Sequence, residues 1–302
     1  MIFKNFLNLS QELQQKSVEF LKKYELLCVQ LCANFKKNPG KTFVIFSKEN
    51  SSAIYGIVFI KNTILHCLPY AKNLKNQKFN LDFCESFSEF IKKNQKSDLS
   101  SQKKFPICVN GEKSGSLLIL KSLKNLKKIP QQTNEYKLFR LNVKDFFKIV
   151  PPKIPENFKI LRKNKKISEQ EFSSLLKIQA AYEKEEVLPK FETFNEELCA
   201  LKLKNLIKNQ IILTLENENQ KIVSKAQTSA IGFNAFLLGG VFTPKEFRKN
   251  HFSFTLLFYF IKKILRFKKM PVLFAKISNQ PALKLYESLK FTEISEYLIA
   301  YF

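Results

Sequence analysis

The sequence predicts an α/β protein of the α+β kind, in which a mixed, mainly antiparallel sheet is flanked by helices, organised as two domains. Three observations predict it. The chain has 302 residues, too long for one average domain and enough for two cores. Hydrophobic residues make up 45% of it, with 31 phenylalanines, which excludes a disordered chain. Short β-rich runs alternate with helical patterns on both sides of a proline-rich stretch, KIVPPKIP at 148–155. Domains are expected over 1–147 and 156–302, with 148–155 as a stiff linker.

In the first half, residues 11–36 carry Leu13, Val18, Leu21, Leu26, Leu27 and Leu31 at helical spacings and end at the Pro-Gly break of KKNPGK. TFVIFSKEN and AIYGIVFIKNTILHCLPY follow as β-rich runs separated by a polar turn. NLDFCESFSEFIKKN reads as a helix, FPICVNGEKSG as a strand and turn, SLLILKSLKNL as a helix and NEYKLFRLNV as a closing strand. The expected order is α, β, β, α, β, α, β.

The second half is more sharply written. NFKILRKN is a strand, and Ser168 with Glu171 three residues on forms a capping box that opens a helix over SEQEFSSLLKIQAAYEKEEV. LCALKLKNLI is a second helix. QIILTLEN, KIVSKAQTSAIGF and AFLLGGVFTP read as three antiparallel strands. A helix over about 251–266, the strand PVLFAKIS, a helix over 281–289 and the strand ISEYLIAYF complete an order of β, α, α, β, β, β, α, β, α, β.

The net charge of +25 raises nucleic acid as a partner, but only four of the 51 basic residues are arginine, the side chain that phosphate and base recognition favours. A chain rich in Lys, Asn, Phe and Ile and poor in Gly and Arg is what an AT-rich genome writes, so the charge names no partner. Runs such as KSLKNLKK and LRKNKK lack the interleaved aromatics of an RNA-binding surface. Six cysteines lie at irregular spacings and read as buried free thiols of a reducing compartment, with no metal site. The N-terminus lacks a continuous apolar segment followed by a small-residue cleavage site, so no signal peptide is expected there, and the most apolar run, FSFTLLFYFI, stops at Lys262, well short of the roughly 20 residues that span a bilayer. A cytoplasmic protein without membrane association is expected.

Two motifs carry chemistry. In GGVFTPKEFRKNHFSF, residues 239–254, a strand ends near a proline, crosses a basic loop and starts a helix. Free amides and the positive end of a helix dipole make an anion site there. Two of the chain's seven glycines, Gly239 and Gly240, sit together where a bulge would splay the strand. The second motif is NQPALKLYESLKF, residues 279–291, with Pro281 in the first turn of a helix and Ala282, Leu285 and Leu289 on one face.

Together with the element order, these stretches make residues 156–302 resemble the GCN5-related N-acetyltransferase family, GNAT. The hexad Arg248, Lys249, Asn250, His251, Phe252, Ser253 is similar to the family's Q/R-x-x-G-x-G/A, with His251 in place of a glycine; Asn279, Ala282, Leu285, Tyr286, Glu287, Leu289 and Phe291 match N-x-x-A-x-x-L-Y-E-x-L-G-F, with Lys290 in place of its glycine. The resemblance implies acetyl-CoA as cosubstrate, its pyrophosphate on the amides of 248–253 and its pantetheine arm against Asn279. It implies direct attack by an amine acceptor, with amides around Val241 and Phe242 polarising the thioester carbonyl and Tyr286 protonating the departing thiolate. For the base, the run Glu183, Glu185, Glu186 ends the domain's first helix where the family builds its acceptor site, and Glu186 is the candidate.

The first half lacks both motifs but follows an order compatible with a degenerate copy of the same fold, implying two GNAT-like domains in tandem. The run FSFTLLFYFI in the helix over about 251–266 is apolar on every side and must be covered on more than one face, which also leaves room for a homodimer. The readings left open are an acetyltransferase of amines, a GNAT-fold interaction protein that has lost its cosubstrate, and an RNA-binding or RNA-modifying protein.

Overall fold

The computed structural model describes residues 1–47, 53–72, 77–96 and 106–302. Its elements are β1 (Ile2–Asn5), α1 (Gln11–Lys23), α2 (Val29–Lys37), β2 (Thr42–Phe46), β3 (Ile54–Ile60), β4 (Thr63–Cys67), α3 (Gln77–Lys96), β5 (Cys108–Glu112), α4 (Lys113–Lys124) and β6 (Gln132–Leu141). A short α5 (Val143–Phe146) follows, and then β7 (Phe158–Lys163), α6 (Glu169–Tyr182), α7 (Glu196–Asn209), β8 (Ile212–Asn217), β9 (Ile222–Ile231), β10 (Ala235–Phe242), α8 (Phe252–Arg266), β11 (Met270–Lys276), α9 (Gln280–Ser288) and β12 (Phe291–Tyr301). From β7 onward the order is the expected one. The first half differs: β1 was not anticipated, and the run 54–67 is two strands turning at Lys61 and Asn62.

The chain divides into two compact units, Met1–Leu138 with Ile294–Phe302, and Phe139–Glu293. This differs from the expected cut. Residues 297–301 of β12 pair antiparallel with Glu112–Cys108 of β5, and Leu298 and Ala300 lie in the first unit's core, so the last strand's end belongs to the first unit. The stretch 148–155 is not a bare linker. Ile149 and Ile154 pack on the second unit's core, and the Tyr259 hydroxyl donates to the Pro152 carbonyl at 2.9 Å.

Within the first unit the strand order is β1-β2-β3-β4-β5-β12. All adjacent pairs are antiparallel except β4 with β5. Its core gathers Ile45, Val58, Ile64, Phe83, Phe87, Val109 and Ile119 between sheet and helices. The second unit orders its strands β11-β10-β9-β8-β7, again antiparallel except for one parallel pair, β10 with β11, joined through α8.

Two helical layers cover the second unit's sheet. Strand alternation, shifted by one at an irregularity in β9 between Ile222 and Ser224, sends Leu213, Leu215, Val223 and Ala226 to one face, where Leu256, Leu257, Phe260, Ile261 and Ile264 of α8 are fully buried against them. It sends Ile212 and Ile222 to the other face, against Leu175 of α6 and Leu203 of α7. The capping box that starts α6 forms in full: Glu171 N–H donates to Ser168 Oγ at 3.2 Å, and Ser168 N–H to Glu171 Oε2 at 2.9 Å. All six cysteines are buried and none forms a disulfide. No helix among the described residues is long and apolar enough to cross a membrane.

Candidate functional site

The site is built where the second unit's parallel pair comes apart. Pairing of β10 with β11 runs from Ala235↔Met270 to Leu238↔Leu273, and on the other side Gly239 faces Gln227 and Phe242 faces Lys225. Three steps along β10 therefore answer two along β9, which is a bulge. Gly240 takes φ +57° within it, and a Cβ there would lie 2.6 Å from Gln227 Cδ. Both the backbone conformation and the close approach demand glycine. Val241 and Phe242, the candidates for polarising a carbonyl, follow directly.

The loop after β10 carries the hexad. Arg248 is turned back: its Nε donates to the Thr243 carbonyl at 3.0 Å and its Nη2 to Glu185 Oε1 at 2.6 Å. Asn250 Nδ2 donates to the carbonyls of Phe247 and Arg248, both at 3.3 Å. Lys249 and His251 take left-handed conformations, φ 66° and 55°. His251 is the N-cap of α8 and makes no capping side-chain bond; the first helical bond is Thr255 N–H to His251 O at 3.0 Å. The amides of Phe252, Ser253 and Phe254 consequently have no acceptor within the helix, and no acidic residue lies in its first turn. An anion would be favoured there by amides and dipole together. His251 takes a left-handed backbone conformation that glycine adopts more readily, and it is exposed.

At α9, Asn279 is the N-cap. Its Oδ1 accepts from Ala282 N–H at 3.1 Å, and its Nδ2 donates to Glu186 Oε1 at 3.1 Å. Tyr286 is buried, its ring 6.1 Å from Phe291 edge-on and 6.5 Å from Phe139, and its hydroxyl has no hydrogen-bond partner among the described residues. Burial, with the nearby Tyr182 and Glu186, pushes its pKa above the usual phenol value. Lys290, in the other glycine position, takes φ 67° just past the helix end and donates its N–H to Glu287 O at 2.9 Å.

The three glutamates lie in a π-helical turn, Glu183–Val187, that ends α6. None stands as a bare acid. Glu183 accepts from Gln179 Nε2 at 2.9 Å and lies 3.6 Å from Lys202, Glu185 is held by Arg248, and Glu186 takes Asn279 on its carboxylate and Lys276 Nζ on its carbonyl at 2.5 Å.

Beside the bulge lies a cluster that the sequence reading missed. Lys225 is fully buried, and its Nζ donates to Gln179 Oε1 at 2.7 Å and Gln227 Oε1 at 2.8 Å, with the Tyr182 ring centroid 5.2 Å away. Desolvation pulls its pKa down to about 7, against the attraction of Glu183. The available signal was Lys225 and Gln227 at strand spacing, on one face of β9.

In the first unit, pairing of β4 with β5 ends similarly at Leu65↔Asn110, but the next residue, His66, fills the space. A Cβ on Gly111 or Gly115 would come within 2.2 or 2.6 Å of its ring, and its Nε2 lies 2.8 Å from Ser116 Oγ. Burial pushes the His66 pKa down to about 3.

No family model matches the sequence, and no curated protein does. Solved structures do. A GNAT-family acetyltransferase from Colwellia psychrerythraea is similar over 100% of both chains, with a TM-score of 0.56 at 13% identity. A tandem GNAT protein from the clavulanic acid biosynthesis pathway is similar over 95% of this chain and 94% of its own, with a TM-score of 0.53 at 8% identity. The chain has the tandem GNAT fold. A third similar structure, assigned to the GNAT family, from Novosphingobium aromaticivorans, is matched over 65% of its length and 57% of this chain, at 14% identity and a TM-score of 0.40. Within a tandem GNAT fold, the bulge, the α8 loop and the start of α9 fall in the second copy, where both glycine positions keep their left-handed backbone.

Proposed function

We propose that the second unit is an acyltransferase that moves an acetyl group from acetyl-CoA to an amine, with six cysteines outside any disulfide suiting a reducing, cytoplasmic setting. The observation that carries this reading is the bulge at Gly239–Gly240. It lies where β10 and β11 stop pairing, with the unpaired amides of α8 at the end of the loop that follows.

In this reading the residues fit acetyl-CoA as follows. The loop Arg248–Ser253, including Lys249, Asn250, His251 and Phe252, cradles its phosphates through the amides, without a carboxylate nearby in the first turn to repel them. Asn279 steadies the arm, and the amides around Val241 and Phe242 polarise the carbonyl. Acetyl-CoA would supply an activated acyl carbon. Tyr286 holds its proton at neutral pH, because burial raises its pKa, and delivers it to the leaving sulfur. Glu186 takes the proton that the amine loses on attack.

Calorimetric titration of the full chain with acetyl-CoA tests the reading, with Ser253→Glu alongside. Micromolar binding is expected, weakened at least tenfold by a carboxylate at the second helical position. A folded wild-type chain that binds no acetyl-CoA would sink it.

A further inference from the structure

The donor side of the transfer leaves the acceptor undefined, and the cluster under the bulge bears on it. Gln227 is 5% exposed. The hydrogen bond that Lys225 Nζ donates sets which end of the Gln227 amide faces it: Oε1 toward the lysine, Nε2 away. Nε2 lies against the bulge, 3.0 Å from where a Cβ on Gly240 would stand. Its two N–H groups have no partner among the described residues. Thr42 Oγ1 and His66 Nδ1 are the buried side-chain atoms without a partner among the described residues, so the Gln227 nitrogen keeps an opening at the bulge and is available to a ligand there.

The location says to what. Lys225 points to the face covered by α6, since its partner is Gln179 of that helix, and Gln227, bonded to Lys225 two residues on, shares that face, whereas α8 with its phosphate-suited loop lies on the opposite face. The ligand on the α6 face is the acceptor. The chemistry narrows its class. An amide nitrogen whose two N–H groups are free, with its Oε1 already taken by Lys225, welcomes an oxygen that accepts without donating.

We propose that Gln227 is the specificity residue of the acceptor site, its Nε2 donating to a carbonyl oxygen next to the nucleophilic amine, so that amino-acid amides and peptide N-termini are preferred to plain alkylamines. The proposal rests on the acetyl-transfer reading above. Lys225 is its positioning residue. A site built to hydrogen-bond a substrate group discriminates strongly against an analogue that lacks it, because the buried donor is then left unpaired.

The test measures thiol release from acetyl-CoA by the full chain with alaninamide and with sec-butylamine, which differ in the carbonyl-bearing group. Acetyl-CoA affinity is measured on the same samples by calorimetry. The wild type should favour alaninamide in kcat/KM. Gln227→Glu keeps an oxygen for Lys225 and loses the donor, and should cut that preference by ten- to hundredfold, chiefly through KM. Gln227→Met, which also loses the donor, should cut it as far and serves where the glutamate variant does not fold. A ratio unchanged in a folded variant, or a wild type that uses sec-butylamine as well as alaninamide or no carbonyl-bearing amine at all, overturns the assignment of Gln227 alone. A folded wild type that binds no acetyl-CoA overturns the transfer reading and this proposal with it.

Discussion

Glu185 Oε1 accepts a 2.6 Å hydrogen bond from Arg248 Nη2, tying the turn after α6 to the loop before α8. Both side chains are partly exposed, at 41% and 34%, so the pair adds little to stability. Its consequence is positional: the guanidinium is directed at a carboxylate and the Thr243 carbonyl, and the loop's amides are left to face a phosphate. Arg248→Glu should therefore weaken acetyl-CoA binding about tenfold to a hundredfold, since it places a repelled carboxylate in the loop and frees the turn at Glu185. Glu185→Ala should leave the affinity within about threefold. Calorimetry on the two variants checks this, and equal losses in both would mean that the bridge, not the loop's charge, matters.

Tyr286 is packed by its ring and makes no hydrogen bond through its hydroxyl to the described residues. Removing the oxygen should then leave packing intact. For Tyr286→Phe, a change in unfolding free energy within about 0.5 kcal/mol is expected, together with a fall in kcat of about 10² to 10⁴ and an unchanged acetyl-CoA affinity. Because burial raises the pKa, the acid stays protonated through the neutral range, and the wild-type rate should show no alkaline loss from this group below about pH 10. A Phe variant with wild-type kcat would remove Tyr286 from the chemistry.

The second unit was legible because its strands and helices are each written with one clean period and bounded by a cap or a proline. Ser168 with Glu171 and Pro281 are cases where local chemistry and final structure agree. In the first unit, β1 has only four residues, too few for a period to register, and the turn at Lys61–Asn62 carries no glycine or proline to separate β3 from β4. The ends of the domains were illegible for another reason: a strand such as β12 shows its pattern but not its partner, and pairing of Tyr297–Tyr301 with β5 is a long-range fact. At the site, His251 and Lys290 looked like losses. A residue's identity reports the strain of a left-handed backbone and not its occurrence, and both positions keep it, at φ 55° and 67°. Lys225 and Gln227 escaped notice because polar residues at alternate positions of a strand read as a solvent face until a helix is seen to cover it.

Lys225 also makes a prediction about stability and pH. The groups that surround its ammonium are Gln179 and Tyr182 from α6, Glu183 from the turn, Cys199 and Lys202 from α7, and Gln227 on its own strand. Its folded pKa, near 7, is below that of an unfolded lysine, about 10.4. Between those values the unfolded chain binds a proton that the folded chain does not, so stability rises with pH, by up to about 1.4 kcal/mol per pH unit from this group. Below pH 7 both states are protonated and the contribution levels off. The buried Cys199 thiol, raised to about 11, works in the opposite direction once unfolded thiols ionise, so the clean window is about pH 7 to 8.5. Urea unfolding of the wild type across that window should show a steeper rise than Lys225→Met, whose absolute stability should fall by about 1–3 kcal/mol because two amide oxygens lose their donor. Parallel slopes would mean that the lysine keeps its proton throughout, and that Gln227 is held by a permanent charge.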